Sequence, residues 1–327
     1  MCTALSFQTK DHYFGRNLDL EFSYHETVTI TPRCYPFHFR MAKSLKQHYA
    51  MIGMATIADN YPLYYEATNE KGLSVVGLNF PGNADYNEVD MDTESVDNIA
   101  PFELIPWILG QCEDLHDVRR ILKRLNLVRI NFSEEYPLTS LHWMISDRSG
   151  SYVLEVVPTG MMVYENPIGI LTNNPPFDYQ VTNLSNYLNL TPDVPENRFA
   201  KGLHLMPYSR GMGAIGLPGD LSSASRFVRA SFAKWNSVSG DSEMESISQF
   251  FHILGSVEQQ RGCVRLGKDE YEITIYSSCC NTDKGIYYYK TYDNSQITAV
   301  GMGRENLDSW ELIAYPLVKE QQVRWEN

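Results

Sequence analysis

The chain runs to 327 residues, 43% hydrophobic and 20% charged, which describes a soluble globular protein whose core needs neither disulfides nor a structural metal. Lys and Arg total 27 against 40 Asp and Glu, a net charge of −13 with no basic stripe, which excludes nucleic acid as a partner held through its phosphates. The opening residues Met1 to Phe7 lack the basic and long apolar segments of a secretory signal, and no stretch approaches the ~18 apolar residues of a membrane span. Cytoplasm is therefore the expected compartment, and the six cysteines are expected as thiols.

From Cys2 to Asn83 the pattern predicts short strands, among them Val28 to Thr31, Leu63 to Tyr65 and the apolar run Leu73 to Phe80, which suits a strand buried on both faces. Pro101 to Cys112 predicts a helix with proline near its start, and Asp114 to Leu127 a second, with Leu115, Val118, Leu122 and Leu125 at helical spacing. Strands return at Leu141 to Ser146, Tyr152 to Val157, Met161 to Glu165 and Ile168 to Thr172, as a meander whose first turn is Asp147 to Gly150. Residues 175 to 221 are rich in proline and glycine and read as long loops, with one helix at Tyr179 to Leu188. Helices at Ser222 to Trp235 and Met244 to Leu254 precede strands at Glu272 to Cys279, Ile286 to Tyr292 and Ile297 to Met302. Two strand blocks bracketed by helical pairs predict a layered α+β fold, read as one domain over 1–327.

Most candidate chemistry has a plainer reading. Gly211 to Gly216 matches GxGxxG, but no strand precedes it and Leu217-Pro218-Gly219 follows where a helix should start, so it reads as a loop. The histidines show no HExxH pair, and no metal site is expected. Most cysteines read as small core residues. Cys2 differs, because loss of Met1 would give one residue both a thiol and a free amine. An α-amino group titrates near ~7.7–8.0 and can take the thiol proton and later return it to a leaving group. Arg16 and Asp19 lie soon after the first strand, where a returning turn brings them beside that terminus, one favouring a thiolate and one holding the amine.

Met1-Cys2-Thr3, Gly15-Arg16-Asn17-Leu18-Asp19, Asn69-Glu70-Lys71-Gly72-Leu73, Gly77-Leu78-Asn79-Phe80-Pro81, Leu141-His142-Trp143-Met144, Leu171-Thr172-Asn173-Asn174-Pro175 and Gly216-Leu217-Pro218-Gly219-Asp220 through Ser225-Arg226-Phe227 together resemble the choloylglycine hydrolase family. That family comprises bile salt hydrolases and penicillin V acylases. The resemblance implies the N-terminal nucleophile hydrolase fold, a four-layer αββα sandwich of antiparallel sheets, in a cytoplasmic homotetramer without a cofactor. It places the nucleophile on Cys2 and its companions on Arg16, Asp19, Asn79, Asn173 and Arg226, with oxyanion donors at Asn79 and Asn173 and Arg226 as a brace. Without the resemblance, Asn79 and Asn173 read as turn residues before proline.

The penicillin acylase branch usually carries Tyr where this chain has Asn79, so the resemblance favours conjugated bile salts as substrates. It puts Leu18, Phe132, Tyr136 and the small Ala58 at the acyl pocket. The alternatives are acylase activity on penicillin V or N-acyl homoserine lactones, and a non-catalytic binder of amphipathic anions that keeps Met1.

Overall fold

The computed structural model describes residues 1–93 and 95–327. The chain opens with β1 (Cys2–Gln8), β2 (His12–Leu20), β3 (Thr27–Thr31), β4 (Met51–Ala58), β5 (Tyr61–Asn69), β6 (Ser74–Asn79) and β7 (Asp97–Ile99). Helices α1 (Leu104–Leu109) and α2 (Leu115–Ile121) lead to β8 (Leu125–Leu127), β9 (Leu141–Asp147), β10 (Gly150–Val157), β11 (Gly160–Glu165) and β12 (Ile170–Leu171). Then come α3 (Phe177–Leu184), α4 (Ser223–Asn236) and α5 (Glu243–Gly255). The last strands are β13 (Arg265–Gly267), β14 (Glu270–Tyr271), β15 (Ile273–Asn281), β16 (Ile286–Thr291), β17 (Thr298–Gly301) and β18 (Ile313–Pro316).

Two antiparallel sheets carry the architecture, one ordered β12-β1-β2-β15-β16-β17 and the other β11-β10-β9-β6-β5-β4-β3-β18. Successive strand residues point to opposite faces, and both faces of the larger sheet are covered. Val76, Leu78 and Met144 join Ala4, Leu18 and Tyr276 between the sheets, while Leu73, Val75, Trp143 and Ile145 turn outward against Leu104, Ile108 and Val118. This double burial is why Leu73 to Phe80 is apolar except at Ser74 and Asn79. On the far side of the smaller sheet, α5 packs on β1 through Phe7 and Phe250, whose ring centroids lie 6.5 Å apart. The order α4/α5, sheet, sheet, α1/α2 is the expected αββα sandwich.

Several elements depart from expectation. The predicted helix over Asp114 to Leu127 stops at Ile121 and, after a 3-10 turn, becomes β8 in parallel with β7. Leu125 and Leu127 are buried around a half-buried Asn126, a period of two that the longer leucine spacing concealed. Helix α3 begins at Phe177, directly after Pro176, and ends in a 3-10 turn over Ser185–Tyr187 rather than running to Leu188. The meander keeps only β9, β10 and β11; β12 leaves for the other sheet, where Leu171 pairs with Ala4. That crossing delivers Thr172 and Asn173 to the N-terminus. Around Gly211 to Gly216 lies a 3-10 turn over Met212–Ala214 in an exposed loop, without the flanking elements a dinucleotide needs.

Buried His12 shows how the hairpin is tied to its surroundings. Its Nε2 lies 2.9 Å from Ser6 Oγ and its Nδ1 2.9 Å from Thr282 Oγ1, hydroxyls that satisfy a neutral ring from either side. Burial lowers its pKa from 6.5 to about 4. Between those values the unfolded chain binds the proton more readily, so this contribution is full above 6.5 and is lost as pH falls towards about 4, by on the order of 3 kcal/mol. Urea midpoints at pH 7 and near 4.5 should therefore fall less in His12→Gln than in the parent; equal drops would refute the assignment.

Candidate active site

Pairing of β1 with β2 sets the site. Cys2 lies opposite Leu18 and Thr3 opposite Asn17, and the backbone N–H of Asp19 donates to the Met1 carbonyl at 2.9 Å. Alternation then splits the motif between two faces. Cys2, Arg16, Leu18 and Leu20 face a cavity, whereas Thr3, Asn17 and Asp19 face the α4/α5 layer. Gly15 allows the close approach behind them, since a Cβ there would lie 2.1 Å from the Ser278 carbonyl oxygen.

Asp19 is fully buried, and a bulge in β15 turns Thr274 to it: the Thr274 hydroxyl donates to Asp19 Oδ1 at 2.6 Å. Its Oδ2 has no hydrogen-bond partner among the described residues and lies 4.0 Å from Arg226 Nη1. Burial pushes this carboxyl up, against Arg226, the chain's amine and the Thr274 bond. Arg226, equally buried on α4, donates through Nη1 to the Cys2 carbonyl at 2.5 Å and to Thr3 Oγ1 at 2.7 Å, and through Nη2 to Asn173 Oδ1 at 2.8 Å. Burial lowers its pKa although Asp19 and Cys2 oppose the shift.

Asn173 is the hub. Its Oδ1 accepts from Cys2 N at 2.7 Å as well as from Arg226, and its Nδ2 donates to the Asn79 carbonyl at 2.7 Å. Reversing the amide would set its NH2 against two donors, so the orientation follows from the network. The bond to the Asn79 carbonyl uses one of the two Nδ2 hydrogens and leaves the other for a further acceptor, while Asn173 does not itself line the cavity. Asn79, half-buried at the end of β6, does line it.

Arg16 reaches across the sheets, donating through Nη1 to the carbonyls of Gly77 at 2.7 Å and Tyr65 at 3.3 Å. Glu66 Oε2 lies 3.8 Å from the same nitrogen. Burial pulls the Arg16 pKa down, but neighbouring Cys2, Tyr276 and Glu66 outweigh it and hold the guanidinium charged. Glu66 was missed from sequence. It accepts hydroxyl bonds from Tyr276 at 2.8 Å, Ser278 at 2.9 Å and Tyr287 at 2.5 Å. A lone acid inside the otherwise uncharged run Tyr64-Tyr65-Glu66-Ala67 was the available signal, as Thr274 opposite Asp19 was not.

Burial pushes the thiols of Cys112 and Cys280 up to about 12 and raises that of Cys279, so none of these supplies a thiolate near neutrality. Cys2 has both Arg16 and Arg226 among its neighbours.

The cavity measures about 310 Å³ and is lined mainly by Leu18, Leu20, Tyr24, Leu63, Tyr65, Phe102, Ile105, Ile130, Phe132, Tyr136 and Leu141. Phe102 and Phe132 meet edge to face with centroids 5.3 Å apart, and Tyr136 lies edge-on to Phe132 at 6.1 Å. Leu18, Phe132 and Tyr136 thus all line this one cavity. Ala58 is not among the lining residues: it pairs with Tyr61 beside the Asp59-Asn60 turn, and Thr56 lines the wall. Thr56 Oγ1 lies 3.0 Å from Tyr65 Oη, one of few polar contacts on that side.

This geometry can be set beside known proteins. A bile salt hydrolase/transferase of Lactiplantibacillus plantarum is 56% identical over 98% of each chain. The solved C2A mutant of the conjugated bile acid hydrolase of Clostridium perfringens superposes with a TM-score of 0.91 at 40% identity, covering 100% of both chains. Penicillin V acylase from Agrobacterium tumefaciens, 16% identical with a TM-score of 0.74 over 98% of this chain and 94% of its own, shares the fold. Residues 2–315 match the model for linear amide C-N hydrolases of the choloylglycine hydrolase type, and with these relatives over nearly its whole length the chain belongs to the choloylglycine hydrolase family.

Proposed function

We propose that this protein hydrolyses glycine- or taurine-conjugated bile salts to free bile acid and amino acid, with Cys2, as the first residue of the mature chain, acting as nucleophile. The observation that carries this is the placement of Cys2 at the wall of an apolar, ring-lined cavity with its nitrogen held by Asn173 Oδ1 at 2.7 Å. The cavity suits a rigid steroid acyl group, for which burial of apolar area supplies most of the affinity.

In the mature chain the nitrogen that Asn173 holds is an amine. Burial lowers the pKa of the amine at Met1 against Cys2 and Asp19, and the same surroundings would favour a free base one residue on. The amine takes the thiol proton and Sγ attacks the amide carbonyl. The Asn79 side chain donates to the oxyanion as the tetrahedral intermediate forms. When the C–N bond breaks, the protonated amine returns its proton to the departing nitrogen, leaving a thioester on Cys2. Water, deprotonated by the same amine, attacks the thioester, releases the bile acid and restores the thiol. Arg16 holds positive charge beside the sulfur, while Asp19, Asn173 and Arg226 fix the amine. Each step uses only the chain's own groups and water.

We further place the protein in the cytoplasm as a homotetramer of one-domain chains spanning 1–327. In support, no helix among the described residues is long and apolar enough to cross a membrane, and the two sheets share one core.

Incubation with glycocholate, taurocholate and penicillin V, followed by assay of released glycine, taurine and phenoxyacetate, tests the reading. Release of glycine or taurine is expected. Release of phenoxyacetate alone would overturn it.

A further inference from the structure

His142 lies on β9 and does not line the cavity, yet it touches both segments that carry the site's asparagines. Its fully buried ring stacks on Phe80, the residue after Asn79, with centroids 4.2 Å apart and planes inclined by 6°. Its Nε2 is 2.8 Å from the carbonyl oxygen of Thr172, the residue before Asn173. Its Nδ1 is 2.9 Å from Oε1 of buried Glu155, and that oxygen also accepts the backbone N–H of Phe177 at 3.1 Å. One His–Glu pair therefore grips the Asn173 segment on both sides of Pro175 and supports the Asn79 segment from beneath.

The proton count follows from the partners. A backbone carbonyl only accepts, so Nε2 must carry a proton. A neutral ring would then leave a bare Nδ1 lone pair facing a carboxylate oxygen, which is repulsive in so dry a place. The line from Nδ1 to Oε1 needs a proton of its own.

We propose that the His142–Glu155 pair holds one proton more than a neutral imidazole beside a carboxylate, and that in this state it positions Asn173 and Asn79 for amide cleavage. The reaction it serves is the one proposed above, and the inference rests on that reading. His142 and Glu155 are positioning residues: they contact neither substrate nor Cys2. Substituting them should therefore disturb the chemical step and leave binding in the cavity alone, because small misplacement of reacting groups costs rate steeply.

Glu155→Gln separates this role from plain core filling. Its amide can donate to Nδ1, so a neutral ring keeps its Nε2 bond to Thr172 and only the Phe177 bond is lost. Glu155→Ala removes the partner altogether, and His142→Phe keeps the stacking on Phe80 but has no donor. Imidazole 15N NMR on the parent protein, with the resonances assigned through His142→Phe, should show Nε2 protonated and Nδ1 without the far-downfield shift of a bare lone pair. With glycocholate, per Cys2 titrated by iodoacetamide, kcat should fall at least about tenfold in His142→Phe and Glu155→Ala, with KM within about twofold, and stay within about threefold of the parent in Glu155→Gln. A bare Nε2, a bare Nδ1 lone pair, or a folded His142→Phe variant with the parent's kcat would overturn the proposal. A parent enzyme inert towards glycocholate would sink the bile salt reading instead, and the NMR result would still decide the pair's proton.

Discussion

Cys2→Ala should fold like the parent and lose turnover of glycocholate by a factor on the order of 10⁶ in kcat, the scale seen when a covalent nucleophile is removed. The same loss is expected for a chain that keeps Met1, because Cys2 N is then a peptide nitrogen with no basic lone pair. In that capped form the amine is displaced to Met1, where it donates to the Asp19 carbonyl at 2.8 Å and pairs with Glu272. Circular dichroism would establish folding, and intact mass would establish which residue begins the active chain. Full activity in a homogeneous Met1-capped preparation would remove the amine from the mechanism.

The next largest effect on rate is expected at Asn79. Its side chain is the amide that faces the cavity beside Cys2, whereas that of Asn173 is bound to the Asn79 carbonyl. Asn79→Ala should cost about 10²–10³ in kcat, or roughly 2.7–4 kcal/mol of barrier, with little change in KM. Asn173→Ala should behave differently, because it strands Cys2 N, Arg226 Nη2 and the Asn79 carbonyl together and so lowers the unfolding midpoint as well as the rate. An Asn79→Ala variant within threefold of the parent would transfer the oxyanion role to Asn173 or to backbone donors.

Much of the site was legible in the sequence because its parts are local. Arg16 and Asp19 follow β1 by one hairpin, and strand alternation alone puts them on opposite faces. The large sheet was legible for a related reason, since continuous apolar runs are what a sheet buried on both sides requires. What escaped notice depends on distant strands. Thr274 meets Asp19 only through the bulge in β15, and Glu66 serves Arg16 only because Tyr276 and Tyr287 arrive from the chain's last third. The asparagines show the intermediate case: their positions could be read from motifs, but not that the Asn173 amide reaches the Asn79 carbonyl across the sheets. Ala58 shows what register decides, since two residues along a strand separate Thr56 at the cavity wall from Ala58 at the hairpin end.

Strand β1 is an interior strand, flanked by β12 and β2, and β2 in turn is flanked by β15. The first residues to leave the ribosome thus wait for neighbours made some 170 and 270 residues later before they have a fixed place. The strand that bears the cysteine is thus closed on one side by a segment from mid-chain, and the support behind Asp19 comes from the chain's last fifth.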